Sequence, residues 1–213
     1  LALKYKEAEK EKIAAELKAL KAQINPHFLF NTLNNLYSLS IEKSDKAPDV
    51  IVKLSDLMSY ILYDCKVEEV ALKNEMDFIS NYLELEKNRF EDRVEINFQK
   101  EIDNPSLQIA PLLFIPFIEN AFKHGFSSGK NRIDILWQCR EGIINFSIEN
   151  NANQYEAESD NYKKGVGIEN VKRRLELLYP KNHSVKITNG NERFSVELMI
   201  DTNVLRNLRI SDM

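Results

Sequence analysis

Three groups of residues have types and spacings suited to moving a phosphoryl group, and they follow one another along a chain of 213 residues. His27 comes directly after Pro26 in INPHFLFNTLNNL (24–36). Its imidazole offers a ring-nitrogen lone pair that can attack an electrophilic phosphorus without strong base assistance. In PLLFIPFIENAFKHG (111–125) an apolar helical pattern ends in Glu119, Asn120, Lys123, His124 and Gly125. Asn120, Lys123 and His124 recur at three- and four-residue spacing, so they share one side of that helix. An amide oxygen there suits Mg2+, which takes few protein ligands and shares itself with substrate phosphates. Lys123 and His124 can meet phosphate oxygens. In GVGIENVKRRLELLYP (165–180), Gly165 and Gly167 precede a helix whose first amides favour an anion. Asn170 lies one turn in, Lys163 and Lys164 stand just before, and Arg173 and Arg174 suit either phosphate contact or a solvated face. Each group also has a plainer explanation: a surface histidine on a dimer helix, polar residues closing a buried helix, a glycine turn with its cap.

These residues need elements to hold them. Leu29, Leu33 and Leu36 recur at helical spacing and predict the buried stripe of the first helix, with His27, Asn31 and Asn34 on the opposite face. Upstream, Ile13, Leu17, Leu20 and Ile24 step as a coiled-coil seam and predict a parallel dimer. Extended unbroken, that seam would draw His27 and Asn31 into the interface. A kink at Pro26, which cannot donate to the Ala22 carbonyl, reconciles the two patterns. Residues 42–47 read as a polar turn, and Pro48 opens a second helix with Val50, Leu54, Leu57 and Ile61 as its stripe. Two antiparallel helices, doubled by dimerisation, make a four-helix bundle. A third helix over 72–90, carrying Phe78, Tyr82, Leu85 and Arg89, is assigned to packing.

Beyond Arg93 the alternation changes to period two, in RVEINFQ, RIDILWQCREGIINFSIEN and HSVKITNGNERFSVELMI, with turns at Glu141–Gly142 and Asn189–Gly190. Helices over 111–124 and 168–179 lie between the strands, so helices covering one face of a mixed or antiparallel sheet, an α+β fold, are expected. The polar stretch 152–164 reads as a lid beside the glycine motif, and the last residues as a tail.

Composition narrows the classes. Apolar residues make up 43% of the chain, enough for a real core. The net charge of −4 and the mixing of lysines with glutamates leave no basic stripe for direct nucleic-acid binding. Cys65 and Cys139 form no CxxC, which points to free thiols in a reducing compartment and away from structural zinc. The longest apolar run, Ile109–Ile118, is too short to span a bilayer. Six lysines against four glutamates in residues 1–23 would suit a cytoplasmic segment just below a membrane helix, and a start at Leu1 suggests a piece of a longer protein.

In this order, with a coiled-coil pattern in front, the three blocks resemble the LytS-type sensor histidine kinases, over residues from about 15 to 200. The resemblance implies a dimerising phosphoacceptor region at 1–66, a GHKL-type (Bergerat) ATP-binding domain at 67–205 and a tail at 206–213. The implied activity is ATP- and Mg2+-dependent autophosphorylation on His27, followed by transfer to an aspartate of a response regulator, commonly of the LytTR type. A homodimer is implied too, cytoplasmic for this stretch, with the full-length protein held in the cytoplasmic membrane. Asn120 takes the Mg2+ role, and Lys123, His124, Gly125, Asn150, Gly165, Gly167 and Asn170 fall in the nucleotide motifs.

Phe28 occupies the position after the histidine where many histidine kinases of other families place an acidic residue, as it does in LytS-type proteins. Glu119 is then the nearest motif carboxylate to orient or deprotonate His27. Asn150, in ENNAN, stands where the wider group's DxG motif has its adenine-site aspartate, and the motif's glycine is missing. An amide accepts only a neutral hydrogen bond from adenine, so weaker binding, by about fivefold, is expected. Asn31, one turn after His27, can donate and accept. It suits placing water for dephosphorylation of the regulator, or is a polar bundle residue. Two further readings remain: a degenerate relative that dimerises and binds partners without turnover, and a GHKL ATPase that never phosphorylates itself.

Overall fold

The computed structural model describes residues 26–124, 131–151, 166–190 and 193–203. The coiled-coil seam, any bend ahead of Pro26, the stretch 152–164, Gly125, Gly165, Lys163, Lys164 and the tail lie outside them.

Helix α1 (Pro26–Ile41) and helix α2 (Ala47–Leu62) form a hairpin across the polar turn, with Pro48 in the first turn of α2. On α2 the buried residues are Val50, Leu54, Leu57 and Tyr60, with Ile61 half-buried, as the stripe predicts. On α1 the buried stripe differs from the expected one. Phe28 and Thr32 are buried and Leu29, Leu36 and Leu39 half-buried against the core, whereas Leu33 is 45% exposed. Thr32 fits because its hydroxyl donates to the Phe28 carbonyl at 2.9 Å, leaving its methyl for packing. Phe30, Leu33, Tyr37 and Ile41 instead form a second, exposed apolar face at three- and four-residue spacing. His27 and Asn34 are exposed and Asn31 half-buried, on the polar flank between the two apolar faces.

Strand β1 (Val70–Ala71) leads into helix α3 (Leu72–Phe90). This helix buries Phe78, Ile79, Tyr82, Leu83 and Leu85, and also Glu75 and Glu86. Ala71 at its N-cap supplies no side-chain bond. The Leu72 and Lys73 amides donate instead to the carbonyls of Leu107, at 2.7 Å, and Pro105, at 2.9 Å. These acceptors precede β3 (Gln108–Ile109), which pairs antiparallel with β1.

The main sheet holds β2 (Val94–Ile102), β4 (Asn131–Arg140), β5 (Ile143–Asn151), β6 (His183–Asn189) and β7 (Arg193–Asp201), in the order β2-β4-β5-β7-β6. Only β2 and β4 run parallel, so the sheet is mixed. The β4–β5 turn falls at Glu141–Gly142, where both residues have positive φ (51° and 78°). Ile133, Ile135, Trp137, Ile144, Phe146, Ile148, Val196 and Leu198 alternate onto one buried face. Helix α4 (Ile115–His124) and helix α5 (Val166–Leu178) belong to that side, with Phe114 against Trp137 and Phe146 at centroid distances of 4.2 and 5.0 Å. The chain is thus α+β. Helix α4 starts four residues later than the apolar run suggests, because Leu112 adopts φ 59°, outside the right-handed helical region.

Candidate active site

His27 sits in the first turn of α1, exposed. The Asn31 amide nitrogen lies 3.1 Å from its Nδ1 and 3.3 Å from its Nε2. The amide therefore overlies the ring, within reach of both nitrogens. Four-residue spacing on one helix produces this contact.

The neighbouring Phe28 points the other way, into a cleft between α1, α2, α3, α4 and α5. Its ring stacks on Tyr82 of α3 at 4.5 Å. The cleft is narrow, with a cavity volume of about 70 Å³, and Glu119, Gly167, Asn170 and Arg174 line it together with Phe28 and Tyr82. Glu119 thus shares a wall with the residue beside His27. Burial pushes its carboxyl up to about 7, and the nearby Glu86 charge adds to the rise. Glu86 is likewise raised to about 7 by burial, against the pull of Arg89, whose Nη2 lies 2.6 Å from Oε2, and of the Tyr82 hydroxyl. Each carboxyl can therefore change protonation near neutral pH, the property a proton acceptor needs.

Of the nucleotide motifs, Gly167 and Asn170 at the start of α5 line the cleft with Glu119 of α4, while Asn150 lies near the end of β5. Asn120 is half-buried and Lys123 exposed on the last turns of α4. His124 closes that helix, and its side chain is outside the described residues. Asn170 is half-buried in the first turns of α5. At Gly167 neither a left-handed backbone nor a close neighbour demands glycine: an added Cβ would meet nothing within 4 Å.

Asn150 occupies the helix-covered face of β5, two residues beyond Ile148, and is 2% exposed. Its Nδ2 donates to the Asn151 carbonyl at 2.8 Å, while Oδ1 is buried without a hydrogen-bond partner. Asn131 at the start of β4 is 1% exposed, and both its amide atoms lack partners. Because Ile133 pairs with Asn150, Asn131 lies diagonally across from Asn150 on the same face. Leaving such groups unpaired costs about 1–3 kcal/mol each, and an adenine edge presents the complementary donor and acceptor. These residues fit the base of ATP, and the Asn120 amide fits Mg2+ shared with phosphates.

Arg174 departs from the solvated-face expectation: it is 2% exposed and donates to the Pro111 and Leu112 carbonyls at 2.6 and 2.9 Å. Sequence reasoning also passed over Glu75, Tyr82 and Glu86 by treating 72–90 as a packing helix. A signal existed: Glu75 and Glu86 fall on the stripe of Phe78, Ile79 and Tyr82, and a carboxylate on an apolar stripe needs a partner.

Residues 15–94 match the family model described as histidine kinase. The sensor protein LytS of Staphylococcus saprophyticus subsp. saprophyticus is 28% identical over 198 residues, covering 87% of this chain and 34% of that protein. The sensor protein LytS of Streptococcus agalactiae serotype V is 32% identical over 188 residues, 80% of this chain and 32% of that protein. The chain therefore spans about a third of the length of these relatives. A solved histidine kinase domain, from the EL346 blue-light activated histidine kinase of Erythrobacter litoralis, covers 91% of this chain and 96% of its own at 13% identity, with a TM-score of 0.48.

Proposed function

We propose that this chain, a relative of the LytS-type sensor histidine kinases over most of its length, is the cytoplasmic kinase core of a two-component sensor. It moves the γ-phosphoryl group of ATP to His27 and then to an aspartate of a response regulator, of the LytTR type. The observation that carries this reading is the seat of Phe28, which fixes the first turn of α1 in the same cleft as Glu119, Gly167 and Asn170.

Little covalent work is asked of the protein in such a transfer, so positioning and charge dominate. Asn31 holds the His27 ring, and in a later step its amide places water for dephosphorylation of the regulator. Glu119, whose carboxyl is raised to about 7, is assigned to orient the imidazole or take its proton, a step for which His27, facing away from the cleft that Glu119 lines, has to turn toward it. Asn150 and Asn131 receive the adenine edge. The first amides of α5, with Gly165, Gly167 and Asn170, approach the phosphates, and Lys123, His124 and Gly125 close that end. Mg2+ held through Asn120 would neutralise charge on the phosphates.

Residues 1–66 dimerise and present His27, residues 67–205 bind Mg-ATP, and 206–213 trail. The exposed faces of α1 (Phe30, Leu33, Tyr37, Ile41) and α2 (Ile51, Val52, Leu62) pack on those of a second copy as a four-helix bundle. Among the described residues no helix is long and apolar enough to cross a membrane. Nucleic acid is not bound directly.

Incubation with γ-labelled ATP should give label that is acid-labile and base-stable, and His27→Gln should lose it while still binding Mg-ATP. Label persisting on that variant would sink the assignment. ATP hydrolysis without label would indicate a GHKL ATPase, and no nucleotide binding at all a degenerate interaction module.

A further inference from the structure

A buried polar cluster joins α2, α3 and α5 without taking part in the chemistry above. Glu75, in the first turn of α3, is fully buried, and its Oε2 accepts the Tyr60 hydroxyl at 2.5 Å and the Leu112 amide at 3.0 Å. Arg174 of α5 grips the same segment from the other side, through the Pro111 and Leu112 carbonyls. Leu112 has φ 59°, in the left-handed region that L-residues seldom adopt. Its peptide groups are held at both ends, N–H by Glu75 and C=O by Arg174.

Leu112 leads into α4, which carries Glu119 and Asn120. One turn before Arg174 on α5 is Asn170, and two turns before it is Gly167. The cluster therefore sets the spacing of the two helices that hold the nucleotide residues. Tyr60 is the hairpin's hydrogen-bond contribution to it. A phenylalanine would keep the ring contact with Phe78, at 4.8 Å, so the hydroxyl is the part that reaches Glu75. Burial and the neighbouring Glu75 charge raise the Tyr60 hydroxyl's affinity for its proton, which keeps it a donor.

Resting on the ATP reading above, we infer that Tyr60 is a positioning residue for the nucleotide site: through Glu75 and the Leu112 peptide, its hydroxyl makes the placement of α4 and α5 depend on the seating of the helical hairpin. The plain alternative is that the hydroxyl only stabilises the fold.

Tyr60→Phe and Leu54→Val in the full chain separate the two. Leu54 is buried on the same helix, and its truncation lowers stability without touching the cluster. Mg-ATP affinity is measured by calorimetry, hydrogen exchange over residues 111–124 and 166–178 by mass spectrometry, and Tm on both variants. Tyr60→Phe should weaken Mg-ATP binding about three- to tenfold and speed exchange in both segments. Leu54→Val, at an equal or larger loss of Tm, should change neither. Affinity and exchange within about twofold of the parent in Tyr60→Phe, or equal changes in both variants, overturn the inference. If the parent itself binds no Mg-ATP, the ATP reading falls, and the exchange comparison alone decides the role of Tyr60.

Discussion

Helix α3 buries two carboxylates near its opposite ends, and their surroundings give them different work. Glu75 is met by a hydroxyl and a backbone amide, with the Arg174 charge close by. Glu86 has Arg89 and Tyr82, but it also faces Glu119, a second carboxylate in the same buried region. Burial raises all three above the ordinary carboxylate value. Fixed donors around Glu75 make it part of the scaffold, since removing it would leave those donors stranded. The like charge beside Glu86 makes the Glu86–Glu119 pair a titrating site instead. One helix thus supplies both a strut and a proton-exchanging group, and the neighbours rather than the residue type decide which is which.

The largest effect should come from the strut. Glu75→Ala strands the Tyr60 hydroxyl, the Leu112 amide and a buried Arg174, and should cost about 3–5 kcal/mol in denaturant unfolding. A cost below about 1 kcal/mol would erase the contrast with Glu86. Glu119→Gln should act with the opposite sign. A carboxyl raised from 4.5 to about 7 on folding favours the native state below about pH 4.5, and that contribution is lost as pH rises through about 7. The glutamine variant should therefore be more stable than the parent at pH 8, on the order of 1–3 kcal/mol, with little difference at pH 4. It should also flatten any rise of autophosphorylation through neutral pH. A variant less stable at pH 8 would place Glu119 with Glu75. The smallest effect belongs to Asn150→Asp, which puts a carboxylate on the helix-covered face of the sheet. It gains a charge-assisted bond to adenine, but it sets an oxygen against the Asn151 carbonyl where Nδ2 now donates. The two terms are each about 1 kcal/mol, so Mg-ATP affinity should move by less than about fivefold in calorimetry. A gain above about tenfold would show that a carboxylate finds donors there, as Glu75 does.

How far the sequence carried differs between regions for a physical reason. Hydrophobic periodicity is local, so the hairpin, the stripe Val50–Leu54–Leu57, helix 72–90 and the strand turns could be read directly. The glycine turn at 142 was legible as a break between two such patterns, whereas Asn150 at the end of β5 was reached through the family resemblance and not through periodicity. Arg174, Glu75 and the late start of α4 were not. The amide that Glu75 accepts is 37 residues away, and the carbonyl that Arg174 holds is 62 residues away, and no local pattern reports such a meeting. Leu33 failed differently. Where a helix has two apolar faces, periodicity finds both but does not say which one the chain's own core covers.

The clasp at the start of α3 bears on the order in which the molecule assembles. The first amides of that helix are closed by the carbonyls of Leu107 and Pro105, which come after β2, and not by a local cap. A helix start without a cap of its own gains little by forming early, and closing the intervening chain costs entropy that only the finished ladder and sheet return. Helix α3 therefore joins the cooperative folding unit of the sheet. The hairpin gains its buried surface from α3, through Phe28 on Tyr82 and Tyr60 on Phe78. The seat of the segment bearing His27 therefore depends on residues far later in the chain, through α3 and the carbonyls that close its start.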